Sequence, residues 1–367
     1  AQPALAADPK LPDTMAWSAY DVGSGGYNQA VAIGAAFKNK YGVNLRVIPG
    51  KNDVSRMLPL KTGRLDVVVN GVGTYMAQEG MYEFGGKDWG PMPLRILLTS
   101  ITPQVMSVLV AKDTGVKTVS DLKGKRVSWV IGAPALNQNV TAILAFGGLT
   151  WDDVEKVEFG GWGASFDAII NDQSDAAFAG SVSGKAFALD QSPRGLVYPA
   201  MPASDTEGWK RTQAVGPYFV PVQATIGAGV SKESPATSSV YPYPILTTLA
   251  DRNGDDLYAV MQAMDDAYPM YKDSAPGNDG WAVDRQNLEW VVPYHEGAIR
   301  YFQNKGMWSD AHQKHNDGLI ERQRILADAW QKVLAQNLDD DAHMAAWQRA
   351  RASALRDAGL AVVLDDW

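Results

Sequence analysis

The chain has 367 residues, 46% of them hydrophobic, which is enough for a large core and for two domains. It has no cysteine, which excludes disulfides, thiolate metal sites and cysteine nucleophiles. A formal net charge of -8 with a pI near 5.1, and no basic stripe, argues against nucleic acid as a partner.

The opening AQPALAADPK resembles the small-residue end of a secretory signal, with ALA as an acceptable cleavage site, and fits an ordinary flexible N-terminus as well. MAWSAY at 15–20 predicts a strand running into the glycine turn GSGG at 23–26, and a helix follows with apolar spacing at Val31, Ala35 and Phe37. NLRVIP, LDVVVNG and LRILLTS predict further strands, with a helix over Asp53–Thr62 and another segment from Gly73 between them. The least polar stretch, ILLTSITPQVMSVLVA, carries Thr, Ser, Gln and Pro and reads as two strands rather than a membrane span.

A second run of strands and helices extends from QVMSVLVAK through KRVSWV, NQNVTAILAFGG, DVEKVEFGGWGASFDAII and SDAAFAG. This alternation predicts α/β architecture with largely parallel sheets. YFVPVQATIGAGVS reads as an extended return, and GDDLYAVMQAMDDAYPMY as a helix ending at Pro269. From about 312 two helical patterns follow, one with Leu319, Leu326, Trp330 and Val333 on its apolar face, the other with Met344, Trp347 and Leu355.

The glycine turn lacks the spaced dinucleotide fingerprint, and no phosphate-loop lysine is present. Its helix start, with Ser24, Tyr27 and Asn28, reads either as tight packing or as a seat for a polar ligand. Asp53 reads as a helix cap or, turned inward, as a charge that penalises a ligand carboxylate; Arg56 reads as a solvated side chain or as the partner of a ligand acid. Asn52, Asn70, Asn137, Gln138 and Ser181 follow strands where an open α/β sheet binds its ligand. Trp162, between glycines, reads as packing or as a flat cover for the ligand. His312 and His315 read as surface residues, and His295 as an anchor for the helix after it. No metal site, cofactor or nucleophile elbow is legible, since GSVSG lacks the elbow pattern; a carboxylate pair assembled in space stays open.

In the order of these segments the chain resembles the TAXI family of TRAP transporter solute receptors, over roughly residues 15–308. The residues that carry the resemblance are GSGGYNQAVAIGAAF, YGVNLRVIPGKNDVSRMLPLKTGRLDVVV, GVKTVSDLKGKRVSWVIGAP, FGGLTWDDV and VVPYHEGAIRYFQNKGMW. The chain departs from the family's pattern at Asn28–Gln29, Gly50–Asp53, Asn70–Gly73 and Ala135–Gln138. The resemblance implies a two-lobed type II periplasmic-binding-protein fold: residues 11–105 as one part of a first lobe, 106–222 as a second lobe, 223–308 as the return, and 309–367 as a helical extension packed on the first lobe. It further implies a periplasmic, non-enzymatic receptor that captures a small organic acid or related polar solute and presents it to the membrane subunits of an ion-gradient-driven transporter. Ser24, Tyr27, Asn28, Asn52, Asp53, Arg56, Asn70, Asn137, Gln138, Trp162 and Ser181 are the expected ligand contacts. The region after Trp308 extends past the resemblance and keeps open a second class, a solute sensor that signals through another exported or membrane protein.

Overall fold

The computed structural model describes residues 8–365 and 367, so the ALA cleavage reading lies outside the described residues. Strand β1 (Thr14–Ala19) pairs in parallel with β2 (Asn44–Pro49). A parallel pair needs a crossover, and helix α1 (Gly25–Tyr41) supplies it, with Ser24 capping its start and Gly42 ending it at φ 74. The buried row of α1 contains Ile33, Ala36 and Phe37, while Val31 and Ala35 face outward, so the expected apolar spacing was misplaced around the helix. Helix α2 (Asp53–Lys61) leads to β3 (Val67–Asn70), and α3 (Gly73–Glu79) leads to β4 (Leu94–Thr99).

The chain then crosses to a second sheet. Its strands β5 (Met106–Ala111), β6 (Arg126–Val130), β7 (Glu155–Phe159), β8 (Ala176–Gly180) and β9 (Leu196–Val197) lie in the order β7-β6-β8-β5-β9. Helices α4 (Pro134–Phe146), α5 (Trp162–Ile170) and α6 (Gly184–Gln191) follow β6, β7 and β8, and α7 (Thr206–Val215) packs on α4 through Trp209 and Phe146, 5.6 Å apart. Strands β10 (Val220–Ala224) and β11 (Ala236–Val240) form an antiparallel ribbon, tied to β5 where Ser239 Oγ donates to the Met106 carbonyl at 2.7 Å. Strand β12 (Ile245–Leu249) re-enters the first sheet antiparallel to β3 and β4, giving the order β2-β1-β3-β12-β4. Two such mixed sheets, flanked by helices and linked by chain that leaves and returns, make the two-lobed type II periplasmic-binding-protein fold.

Helix α8 (Gly254–Tyr271) runs through Pro269 rather than stopping there, because a proline in the last turn forfeits little of the hydrogen-bond ladder. The His295 ring starts α9 (Glu296–Asn304) by accepting the Gly297 N–H on Nδ1 at 3.1 Å. Helices α10 (Asp310–Leu334) and α11 (Asp340–Asp357) pack on the first lobe. Glu79, at the end of α3, is fully buried and receives Arg322 Nε and Nη2 at 2.7 and 2.9 Å and Arg351 Nη2 at 2.7 Å. Burial alone would raise its pKa; the two guanidinium groups outweigh that and hold it below the ordinary value. Trp347 Nε1 donates to the Gly80 carbonyl at 2.6 Å, and the Trp330 ring meets Trp347 edge-on at 4.9 Å. His312 and His315 are half-buried rather than on the surface: His312 Nδ1 accepts from the Ser309 N–H, and His315 Nε2 lies 2.6 Å from the Trp290 carbonyl.

Candidate functional site

The C-terminal ends of the parallel strands in both sheets face a common cleft. The turn after β1 brings Tyr20, Asp21 and Ser24; the turn after β2 brings Gly50 to Asp53; and β3 leads to Val72 and Gly73. From the second lobe come Ala133, Ala135 and Asn139 after β6, Trp162 after β7 and Ser183 after β8. Between them the two lobes, drawn together in this arrangement, leave a narrow cavity of about 60 Å³.

Electrostatics in the cleft centre on Asp53 and Arg56, only 5% and 2% exposed. One helical turn places them side by side, and the carboxylate pairs with the guanidinium. Arg56 Nε also donates to Asn70 Oδ1 at 3.0 Å, and its Cζ lies 3.8 Å from the centre of the Tyr20 ring, a close cation–π distance. The second Asp53 oxygen accepts the backbone N–H of Ala135, in the first turn of α4, at 2.9 Å.

Aromatic side chains form the cleft's floor. Tyr20 meets Tyr243 at 5.2 Å, Tyr243 meets Tyr241 at 6.2 Å, and Tyr241 stacks with Phe178 at 6.5 Å. Burial pushes the hydroxyls of Tyr20, Tyr241 and Tyr243 above their ordinary pKa, so they stay neutral. Asn139 Nδ2 donates to the Tyr241 hydroxyl at 3.0 Å while its Oδ1 accepts from Tyr218 at 2.7 Å.

The lobes also touch directly at the cleft rim. Asn52 Nδ2 donates to the Ile131 carbonyl at 3.2 Å, the Val54 N–H to Gly132 at 3.3 Å, and the Trp162 N–H to Lys51 at 3.2 Å. Asp21 Oδ2 accepts the Gly163 N–H of α5 at 3.0 Å. Gly132 must be glycine here: its φ is +71°, and a Cβ would lie 2.8 Å from Asn52 Nδ2.

Of the sequence-predicted contacts, Ser24, Asn52, Asp53, Arg56 and Trp162 line the cleft. The cap of α2 is Asn52, whose side chain takes the Ser55 N–H at 2.8 Å, so Asp53 is not the cap and is free to turn inward. Arg56 is buried rather than solvated, because the Tyr20 ring and Asn70 hold it in. Asn70 lies behind Arg56 and supports it. Tyr27 and Asn28 line a separate groove between α1 and α8, and the free helix-start N–H imagined at Tyr27 is taken by Ser24 Oγ at 3.1 Å. Asn137 spends its side chain on both backbone groups of Val130 at 3.0 and 2.8 Å, and Gln138 bonds Tyr82 and the Val215 carbonyl. Ser181 links the Val105 N–H to the Ile226 carbonyl at 3.0 and 2.8 Å. Trp162 is half-buried, and its Nε1 donates to the Phe178 carbonyl at 2.9 Å.

Sequence reasoning missed Asp21, Tyr20, Tyr241 and Tyr243. The first two follow directly on β1, a signal available in the sequence; the tyrosine pair reaches the cleft only because β11 pairs with β10 and β12 with β3, which no local pattern shows.

The model of the NMT1-like family matches residues 22–306, from the turn after β1 to the end of the α9 segment. The chain belongs to the NMT1-like family. Solved structures similar to this NMT1-like chain include the alkanesulfonate-binding protein SsuA from Xanthomonas axonopodis pv. citri bound to MOPS, with 14% identity, a TM-score of 0.47, and 88% of this chain and 94% of that chain covered. Another is the periplasmic aliphatic sulphonate binding protein SsuA from Escherichia coli, with 13% identity, a TM-score of 0.44, and 96% and 90% covered. Among the described residues, no group of three or more His, Asp or Glu could hold a metal ion, and no helix is long and apolar enough to cross a membrane.

Proposed function

We propose that this NMT1-like chain is a periplasmic solute receptor that encloses a small polar molecule between its lobes. The observation that carries the reading is the cleft itself, built at the strand ends of two sheets and lined by both lobes. Closing on a solute would align groups from both sides and remove it from water, shifting the population toward one shape that a partner can recognise. The resemblance to TAXI receptors supports membrane subunits of a tripartite, ion-gradient-driven transporter as that partner.

The solute we infer has a flat apolar body with amide or hydroxyl groups. Tyr20, Tyr243, Phe178 and Trp162 offer faces for the body, and neutral tyrosine hydroxyls offer hydrogen bonds. An organic acid, which Arg56 alone would suit, is disfavoured by the Asp53 carboxylate already on that guanidinium.

Native mass spectrometry of gently purified protein, followed by denaturing release, tests the reading. One small molecule per chain, whose return to stripped protein raises the Tm, is the expected result. No carried molecule together with no thermal gain across a broad metabolite panel would overturn it.

A further inference from the structure

Asp53 sits where the lobes meet, and its partners come from both. One oxygen takes Arg56 Nη2 of the first lobe, and the other takes the Ala135 N–H of the second lobe at 2.9 Å. A guanidinium on one side and the donor end of a helix on the other hold a carboxylate well. A solute acid enclosed by closure would present its carboxylate to this same pair. Here the protein supplies its own. The neighbouring helix repeats the arrangement, since Asp21 of the first lobe accepts the Gly163 N–H at the start of α5.

We propose that Asp53 is a built-in stand-in for a ligand's acid group: it latches the two lobes together across Arg56 and α4, and it sets the charge preference of the cleft by keeping carboxylates out of that corner. The inference rests on the solute-receptor reading. A ligand carboxylate placed beside Asp53 would share one guanidinium with a like charge in a poorly hydrated corner. A neutral amide meets no such penalty. With the Asp53 carboxylate removed, Arg56 keeps Asn70 and Tyr20 while the Ala135 N–H opens, which leaves a place shaped for a small anion.

Because the chain contains no cysteine, nitroxide labels can be attached cleanly through Ala35→Cys on α1 and Asp152→Cys in the second lobe, both exposed positions. Pulsed electron paramagnetic resonance on protein refolded free of solute then reads the separation of the lobes. The parent protein is expected to show a single closed distance that sodium acetate does not move. Asp53→Ala shifts the distribution away from that distance, and acetate brings it back. In binding measurements with benzamide and benzoate, the parent prefers the amide, and both Asp53→Ala and the isosteric Asp53→Asn move the preference toward the acid by about tenfold or more. The Asp53→Asn protein keeps the side chain's shape, so its preference is readable even where the alanine variant folds poorly. An Asp53→Ala protein that stays at the parent distance, or that opens and ignores acetate, overturns the latch; an unchanged amide-to-acid preference in Asp53→Asn overturns the charge role. Both readouts use acetate, benzoate and benzamide alone, so their failure is distinct from a failure to find a natural solute.

Discussion

A Cβ placed on Gly71 would lie 2.5 Å from the Tyr20 hydroxyl and 3.2 Å from the Tyr243 ring. The Tyr20 ring is the seat of Arg56 and both rings are part of the cleft floor, so one added carbon there has to move the floor. Gly71→Ala is expected to cost about 1–3 kcal/mol of stability through overpacking. It should also weaken solute binding by more than a distant substitution of equal cost, as isothermal titration beside chemical denaturation would show. At this scale the sequence was only partly legible. Trp162 and Ser24 follow strands with glycines around them, and position alone brings them to the cleft. Arg56 looked like a solvated side chain because its partners, Tyr20 and Asn70, lie 36 and 14 residues away along the chain. Asn137 and Gln138 have the right chemistry at the right strand end, but the backbone of Val130 and Val215 claims their side chains.

The elements were more legible than their contacts, because strand and helix periods are local while capping and packing are not. The start of α9 shows the difference. His295 is a cap only while Nδ1 is unprotonated and able to accept the Gly297 N–H. Burial lowers its pKa below the ordinary value of 6.5, so the unfolded chain binds the proton more readily than the folded one. The stability this linkage contributes is present above pH 6.5 and is lost as pH falls through the folded value. Denaturation midpoints should therefore decline as the solution is acidified below about pH 6.5. His295→Asn, which keeps a capping oxygen and cannot titrate, should flatten that decline in part; His343, also lowered by burial, contributes over the same range, and the buried Glu79 carboxylate, held below its ordinary value, contributes at more acidic pH.

Across the whole molecule, the buried Glu79 joins the first lobe to the last two helices. Replacing it with glutamine leaves Arg322 and Arg351 facing each other without a counter-charge, and Glu79→Gln is expected to cost about 3–5 kcal/mol. The double replacement Arg322→Met with Arg351→Met, in the Glu79→Gln background, should recover part of that loss, measured by urea unfolding. A chain ending at residue 308 exposes the Trp330 and Trp347 seats on the first lobe and leaves Glu79 without both cations, so it should aggregate or unfold rather than yield a smaller receptor. Synthesis adds a constraint of time. Glu79 leaves the ribosome 243 residues before Arg322 and 272 before Arg351. At translation rates of about 5–20 residues per second, the first gap alone lasts on the order of 12–50 s. The second lobe's sheet is contiguous from Met106 to Val197, so its strands can meet as they emerge. The half of the molecule that begins first on the ribosome is therefore the half that finishes last.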